Sequence, residues 1–187
     1  MKLSVIVPSI GRPGLLPLIH SLPGAWVEWV IVFDGSRRDR QIEIGERQRE
    51  LERIGLAWHV LAAGGDWGQQ QRNVGMTLAT GSWLVFSQDD QIFEAGADLP
   101  LAELDLETKP QLFRLRKWAP SSEALVWRER GVFRPNMVDG DCMVVPNVPA
   151  RLGQWGAGYC GDWDFLRDTA DLWGGVEWRD EVLQRGV

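Results

Sequence analysis

Lysine occurs three times in 187 residues, histidine and cysteine twice each, and tyrosine once. Acidic residues outnumber basic ones, 26 to 20, for a net charge of −6. A general nucleic-acid binder would carry a basic face, so that class is set aside. Cys142 and Cys160 have no metal-like spacing and no Cys/His companions nearby, so they read as reduced, structural thiols. His20 falls in a helical pattern and His59 in a strand pattern, and both read as structural rather than catalytic. No apolar run approaches the roughly 18 residues of a membrane span. The start, MKLSVIVPSIGRPG, is broken too soon by Pro8 for a signal peptide, so a soluble, cytoplasmic chain is expected. No internal repeat, low-complexity tract or linker interrupts it, and the length suits one domain.

What is present fits a packed globular fold. Apolar residues make up 44% and charged residues 25%, enough for a core without staples. Seventeen of the 20 basic residues are arginine, whose planar fork can grip phosphates, although codon usage suffices to explain the excess. The 11 tryptophans, scattered from Trp26 to Trp178, read mainly as core and rim packing. One or two are candidates for stacking on a sugar or base.

Hydrophobic patterning in the first half alternates between strand and helix. Leu3–Val7 is a continuous run, the mark of a strand buried on both faces. Pro13 opens a short helix through Leu22. Trp29–Phe33 is a second strand, Arg37–Ile54 an exposed helix closed by Gly55, and Leu56–Leu61 a third strand. Gly64, Gly65 and Gly68 form a loop before a helix at 69–79 with Val74 and Leu78 on one face. Ser82–Phe86 is the fourth strand. This alternation predicts an α/β fold with a mostly parallel central sheet and helices on both faces. Ligands in such sheets bind outside the carboxyl ends of the strands. Three polar clusters fall there: Ser9–Arg12, Asp34–Arg37 and Gln88–Gln91. The adjacent carboxylates Asp89 and Asp90 repel one another unless solvent or a cation compensates them. They are a solvated turn or part of a site, and the convergence favours the site.

Beyond Gln91, strands are predicted at Leu112–Trp118 and Ala124–Trp127, joined by a turn at Pro120-Ser121-Ser122. A further strand is predicted at Asp141–Val145, a helix at Asp162–Leu172, and a short strand at Gly175–Trp178. These read as mixed or antiparallel additions to the first sheet.

Four stretches together resemble the family 2 glycosyltransferases of the GT-A fold: LSVIVPSIGRPGLL at 3–16, WVIVFDGS at 29–36, GQQQRNVGMTLATGSWLVFSQDD at 68–90 and CGDWDFLRD at 160–168. The third is the most specific, with Arg72, Asn73, Gly75, Ala79 and Gly81 placed as in the family. The resemblance implies one GT-A-like domain over 1–187, with a nucleotide-sugar-binding half at 1–91 and an acceptor-side half at 92–187. It implies inverting, metal-dependent transfer of a sugar from a nucleotide-sugar to an acceptor hydroxyl.

Residue by residue, Gln88-Asp89-Asp90 matches the family's Asp-x-Asp motif. Asp90 inherits the Mn²⁺ or Mg²⁺ contact, and Asp89 a supporting or sugar contact. Gln88 stands where an Asp is usual. Asp34 matches the nucleoside-binding acid, with Phe33 where a first Asp is common. Pro8 and Arg12 match the loop framing the nucleotide, Arg12 being a phosphate contact or a solvated loop residue. Arg72, near a helix start, matches a nucleotide or diphosphate contact, while Asn73 fixes the loop. Asp162 matches the late acidic pair that supplies the base, with Asp164 in reserve and Gly161 a second departure. Asp162 alternatively caps the following helix. Trp155, Tyr159 and Trp163 flank it as candidate sugar-stacking or packing residues. The acceptor class stays open among glycans, lipid-linked, protein and other hydroxyls. It is bound by a partner subunit, a homodimer interface or an open cleft. Two rivals remain: a degenerate binder of nucleotide-sugars or glycans, and a nucleotidyltransferase. The latter is disfavoured because VPSIGRPG lacks a glycine-rich basic loop.

Overall fold

Val5, Ile6 and Val7 are the centre of a strand, β1 (Leu3–Ser9), in which every residue is buried. It pairs in parallel with β2 (Val27–Asp34) on one side and β4 (Trp83–Phe86) on the other. β3 (Trp58–Leu61) lies parallel outside β2. The computed structural model describes residues 2–62, 67–104, 108–119, 122–126, 130–135, 137–158 and 160–187. Gly64, Gly65, Pro120, Ser121, Trp127 and Tyr159, which figure in the sequence reading, lie outside them.

The alternation of side chains along β1 divides the core between the two faces of the sheet. Val5 and Val7 pack with Leu15, Leu18 and Ile19 of α1 (Leu15–Ser21) and with Ile44 and Leu51 of α2 (Gln41–Arg53). Ile6 packs on the other face with Met76 of α3 (Gln69–Leu78) and with Phe165 and Leu166 farther along the chain. The expected helix from Arg37 divides into a 3₁₀ turn at Arg38–Arg40 and α2. The α3 face also departs from expectation. Leu78 is 37% exposed, and the buried residues are Gln69, Gln71, Arg72, Gly75 and Met76. Gly75 explains the rotation, since a Cβ there would lie 2.4 Å from Ile6 Cγ2. The helix presses its bare turn onto β1 and carries Arg72 inward with it.

After β4 the sheet continues mainly through antiparallel pairings. β5 (Gln91–Phe93) and α4 (Asp98–Ala102) precede β6 (Gln111–Ala119) and β7 (Ser122–Val126). β8 (Met143–Pro146), α5 (Gly161–Trp173) and β9 (Glu177–Gly186) complete the chain. The sheet order is β3-β2-β1-β4-β8-β6-β9-β5, with β7 against β6. Four elements correct the sequence reading. Asp141 lies in a 3₁₀ turn, Gly140–Cys142, ahead of β8. The last strand begins at Glu177 and runs ten residues, while β5 and α4 were not foreseen. β9 is held by ladders to β6 and β5, and its charged first half carries no apolar signal.

This topology creates one functional edge. β1, β2 and β4 all end there, and antiparallel β8 begins there, with Val144 opposite Val85. The turn before Met143 is therefore set beside the residues after Phe86.

Candidate active site

Asp89, 2% exposed, is the anchor of the loop after β1. Its Oδ2 accepts from Ser9 Oγ at 2.7 Å, Ile10 N at 3.0 Å and Arg12 N at 3.2 Å. Arg12 Nη1 lies 3.3 Å from Asp89 Oδ1 and 2.5 Å from Asp90 Oδ2. One guanidinium and a set of loop donors thus compensate the two neighbouring carboxylates. Asp89 is used up by the fold, whereas the Asp90 side chain is 44% exposed.

Asp34 makes an Asx turn, its Oδ1 accepting from Ser36 N at 3.0 Å and Ser36 Oγ at 2.5 Å. It also lines a cavity of about 280 Å³ together with Pro8, Arg12, Arg37, Gln71, Gln88 and Asp89. Gln71 is 1% exposed, and its Oε1 has no hydrogen-bond partner among the described residues. A buried acceptor left in that state costs about 1–3 kcal/mol. Trp67, 74% exposed, holds a left-handed backbone at φ 54°, which is strained for a side chain of its size. It lines this cavity and the next.

The second cavity, about 410 Å³, is walled by Arg72, Gln88, Lys117, Asp139, Trp155, Cys160, Asp162 and Trp163, among others. Arg72 is 4% exposed and its guanidinium is committed on three sides. Nη1 donates to Trp67 O at 3.0 Å, Nη2 lies 3.4 Å from Asp141 Oδ1, and Cζ sits 4.6 Å from the Trp155 ring centroid. Asp141, 1% exposed, also accepts from Gln88 Nε2 and, at 2.9 Å, from Gln91 Nε2. Burial pushes the Asp141 carboxyl up, against the pull of Arg72. Gln88, which departs from the acidic pattern, is thereby explained locally. An aspartate there would face the buried Asp141 carboxylate, whereas an amide donates to it.

Trp155 has no free face for a sugar. Phe165 stacks on it at 4.6 Å and 8°, and Arg72 lies over the ring. Asn73 locks it in place, donating to Trp155 O at 2.9 Å and accepting from Trp155 N at 3.0 Å. Trp163 remains as the aromatic wall near Asp162, tilted against Phe133 at 5.2 Å. Cys142 is buried and its thiol is pushed up by that burial, but Cys160 is exposed on the cavity rim rather than in the core.

Asp162 sits in the first turn of α5, where the capping position is Cys160 and no side chain caps. Its Oδ1 accepts from Trp163 N at 2.9 Å. Burial, and then the nearby charge of Asp139, raise its pKa above the ordinary carboxylate value. That is the direction a base working near neutrality requires. Gly161 is imposed by packing, because a Cβ there would stand 2.0 Å from Gly156 O. Asp164 pairs with Arg167 at 3.4 Å and, like Asp90, lines neither cavity.

The structure therefore gathers Pro8, Arg12, Asp34, Gln88 and Asp89 around one cavity and Arg72, Gln88 and Asp162 around the other. Sequence reasoning missed Lys117, Asp139 and Asp141. Asp139-Gly140-Asp141 abuts the apolar run of β8 just as Asp89-Asp90 follows that of β4, and that signal could have found it. For a divalent cation, no group of three or more metal-ligating side chains exists among the described residues. Asp90 is the half-exposed carboxylate of the Gln88-Asp89-Asp90 run and is paired with Arg12, so a Mn²⁺ or Mg²⁺ fits here only by sharing that carboxylate and in company with ligand phosphates, the usual Mg²⁺ arrangement.

No protein-family model matches the chain, and no curated protein sequence matches it. Solved structures do. Staphylococcus aureus TarS superposes with a TM-score of 0.75 at 16% identity over 100% of this chain and 37% of that one. TarS 1–349 in complex with UDP-GlcNAc gives 0.72 at 17%, over 100% of this chain and 58% of that one. Glucosyl-3-phosphoglycerate synthase from Mycobacterium tuberculosis, in complex with Mn²⁺, UDP and phosphoglyceric acid, gives 0.60 at 15%, over 97% and 69%. The chain spans little more than a third of the longest of these. Its architecture, with the parallel β3-β2-β1-β4 core extended through β8, is the fold of the GT-A glycosyltransferases.

Proposed function

We propose that the chain is an inverting glycosyltransferase that moves a sugar from a nucleotide-sugar to an acceptor hydroxyl. The observation that carries this is the pair of cavities sharing Trp67 and Gln88, one walled by Asp34 and the other by Asp162. A nucleoside in the first cavity would direct its diphosphate-linked sugar toward the second. That TarS was solved with UDP-GlcNAc and the synthase with Mn²⁺ and UDP supports a uridine nucleotide as the first donor to test.

In the proposed reaction the acceptor oxygen attacks the anomeric carbon as the bond to the diphosphate oxygen breaks, and the configuration inverts. Asp162 takes the hydroxyl proton. Asp34 and Pro8 frame the nucleoside, and Arg12 lies within reach of the phosphates. Arg72 acts by holding the Trp67 carbonyl and Asp141, which in turn holds Gln88. A divalent cation held by Asp90 and the diphosphate would supply Lewis-acid stabilisation to the leaving group. In the same reading Asp164 is the reserve base, residues 1–187 form one domain, and the acceptor enters from the Trp163 side.

A panel of nucleotide-sugars, led by UDP-GlcNAc, with chromatographic and anomeric analysis of products, tests the proposal. Transfer with inversion to a hydroxyl supports it. Tight nucleotide binding with no transfer to any acceptor would turn the reading to a non-catalytic binder.

A further inference from the structure

Two side chains of the Gln69–Arg72 segment keep a buried polar atom without a hydrogen-bond partner among the described residues, Gln71 at Oε1 and Arg72 at Nε. Gln69 donates to Gly158 O at 3.4 Å and accepts from Arg72 Nη1 at 3.4 Å, and both Nη atoms of Arg72 are engaged as described, which leaves Gln71 as the member whose polar group lines the smaller cavity. Gln71 is 1% exposed in the first turn of α3, yet its Oε1 finds no partner among the described residues. An apolar residue of equal length would fill the same space without stranding a polar atom. A buried amide that costs the apo protein stability is accounted for when a ligand completes its hydrogen bonding.

The surroundings say what kind of ligand. Gln71 shares the smaller cavity with Asp34, Asp89, Pro8, Ile10 and Trp67. Arg12 and Arg37 line the same cavity and suit the phosphates, while the proline ring and the indole offer flat apolar surfaces suited to a heterocycle. Asp34 can only accept hydrogen bonds, whereas a carboxamide both donates and accepts, as the polar edge of a nucleobase does. We propose that Gln71 pairs with the edge of the donor's nucleobase and sets which base the cavity admits. This rests on the nucleotide-sugar reading above and adds a specificity residue to it.

The test uses calorimetry of the full chain with UDP, CDP, GDP and ADP, and with inorganic pyrophosphate as a probe without a base. The parent is expected to separate its best and worst nucleotide by about tenfold or more, the usual scale of one amide–base pairing. Gln71→Met keeps length and helix propensity. It should weaken the best nucleotide by about tenfold, compress the spread to about threefold and leave pyrophosphate unchanged. Its ligand-free melting temperature should equal or exceed the parent's, because the stranded acceptor is gone. Gln71→Ala should show the same loss of discrimination and serves if the Met variant misfolds. An unchanged order and spread in the variants, an equal loss of pyrophosphate, or a parent indifferent to base would each overturn the inference. A parent that binds no nucleotide at all would instead remove the donor reading, and this inference with it.

Discussion

Truncating Asp141 to alanine is expected to cost about 3–5 kcal/mol of folding stability, although the residue contributes almost nothing to the apolar core. Its carboxylate and the Arg72 guanidinium are 1% and 4% exposed and 3.4 Å apart. At an effective dielectric of about 20 that separation corresponds to about 5 kcal/mol of attraction, much of it offset by desolvating both ions. Removing the carboxylate keeps the desolvation of Arg72 and loses the attraction. Trp67 O and the Trp155 ring still hold the guanidinium, which places the cost in the lower half of the range. The amides of Gln88 and Gln91 lose an acceptor as well, at about 1 kcal/mol each. Removing both charges, as Arg72→Met with Asp141→Ala, should recover about 2 kcal/mol relative to additivity. Urea unfolding of the four proteins, compared by midpoint at constant slope, measures this.

Asp141→Asn separates charge from shape. Burial raises the folded-state pKa of Asp141 above its unfolded value despite Arg72. A raised carboxyl pKa contributes stability that is full at low pH and lost as pH rises through the folded value. The parent should therefore lose ground to Asp141→Asn as pH rises, and the Asn variant should be milder than Ala throughout. A loss under about 1 kcal/mol in Asp141→Ala, or no coupling in the cycle, would mean that water reaches the pair and would refute the reasoning.

Asp162→Asn should lower transfer by about 10²–10⁴-fold with donor affinity and melting temperature nearly constant, since a base acts chiefly in the transition state. Parental turnover in that variant would remove Asp162 from the chemistry and make Asp164→Asn the next measurement. Burial and Asp139 raise the Asp162 pKa, so activity should fall with acid sooner than for an exposed carboxylate. Asp139→Asn should move that acid limb to lower pH, and an unmoved limb denies the coupling. Mn²⁺ should add to the melting shift produced by a nucleoside diphosphate, and Asp90→Ala should abolish that increment with the fold intact. Equal increments in both proteins would exclude Asp90 as a ligand. At the opposite edge, burial raises the Glu28 carboxyl but hydrogen bonds from Ser4, Thr80 and Lys2 hold it down, from 4.5 to about 2. Its contribution, about 1–2 kcal/mol after screening, is full above pH 4.5 and lost as pH falls toward 2. Glu28→Gln should flatten the acid side of the stability profile, which an unchanged urea midpoint across that range would disprove.

The parallel half was legible because β1, β4 and the second half of β2 are buried on both faces, so Val5–Val7, Val30–Phe33 and Trp83–Phe86 read as apolar runs. The ends of those runs marked the edge where Asp34–Arg37 and Gln88–Gln91 fall, and the resemblance to the family 2 glycosyltransferases then gave Asp34, Gln88, Asp89 and Asp90 their expected roles. What could not be read was which carboxylate the fold would consume. Asp89 reaches donors 77 to 80 residues away in the loop after β1, a contact that no local pattern encodes. The α3 face was misjudged because Val74 and Leu78 make the better apolar stripe, whereas the close approach of Gly75 to Ile6 decides the rotation. The second half was read least well. β9 is half charged and β5 has three residues, so ladder pairing rather than hydrophobicity holds both. Asp139 and Asp141 are set beside the end of β4 by the antiparallel return of β8, and Lys117 reaches the same place from β6 by its ion pair with Asp139.

Burial then sorts the acidic residues of this edge by task. Asp89 and Asp141, at 2% and 1% exposure, spend their oxygens on the β1 loop and on Arg72, Gln88 and Gln91. Neither has room for a metal or an acceptor hydroxyl, yet between them they tie the ends of β1 and β4 to the turn before β8 and the start of α3. Asp90 and Asp162 are only partly buried, and in the proposed reaction they are the carboxylates left to meet a cation and an acceptor hydroxyl. A substitution at the first pair should therefore appear in the unfolding midpoint before it appears in turnover. At the second pair the order should be reversed. An edge whose four carboxylates all behaved alike in both measurements would have no such division, and burial would then be no guide to which of them meets the substrate.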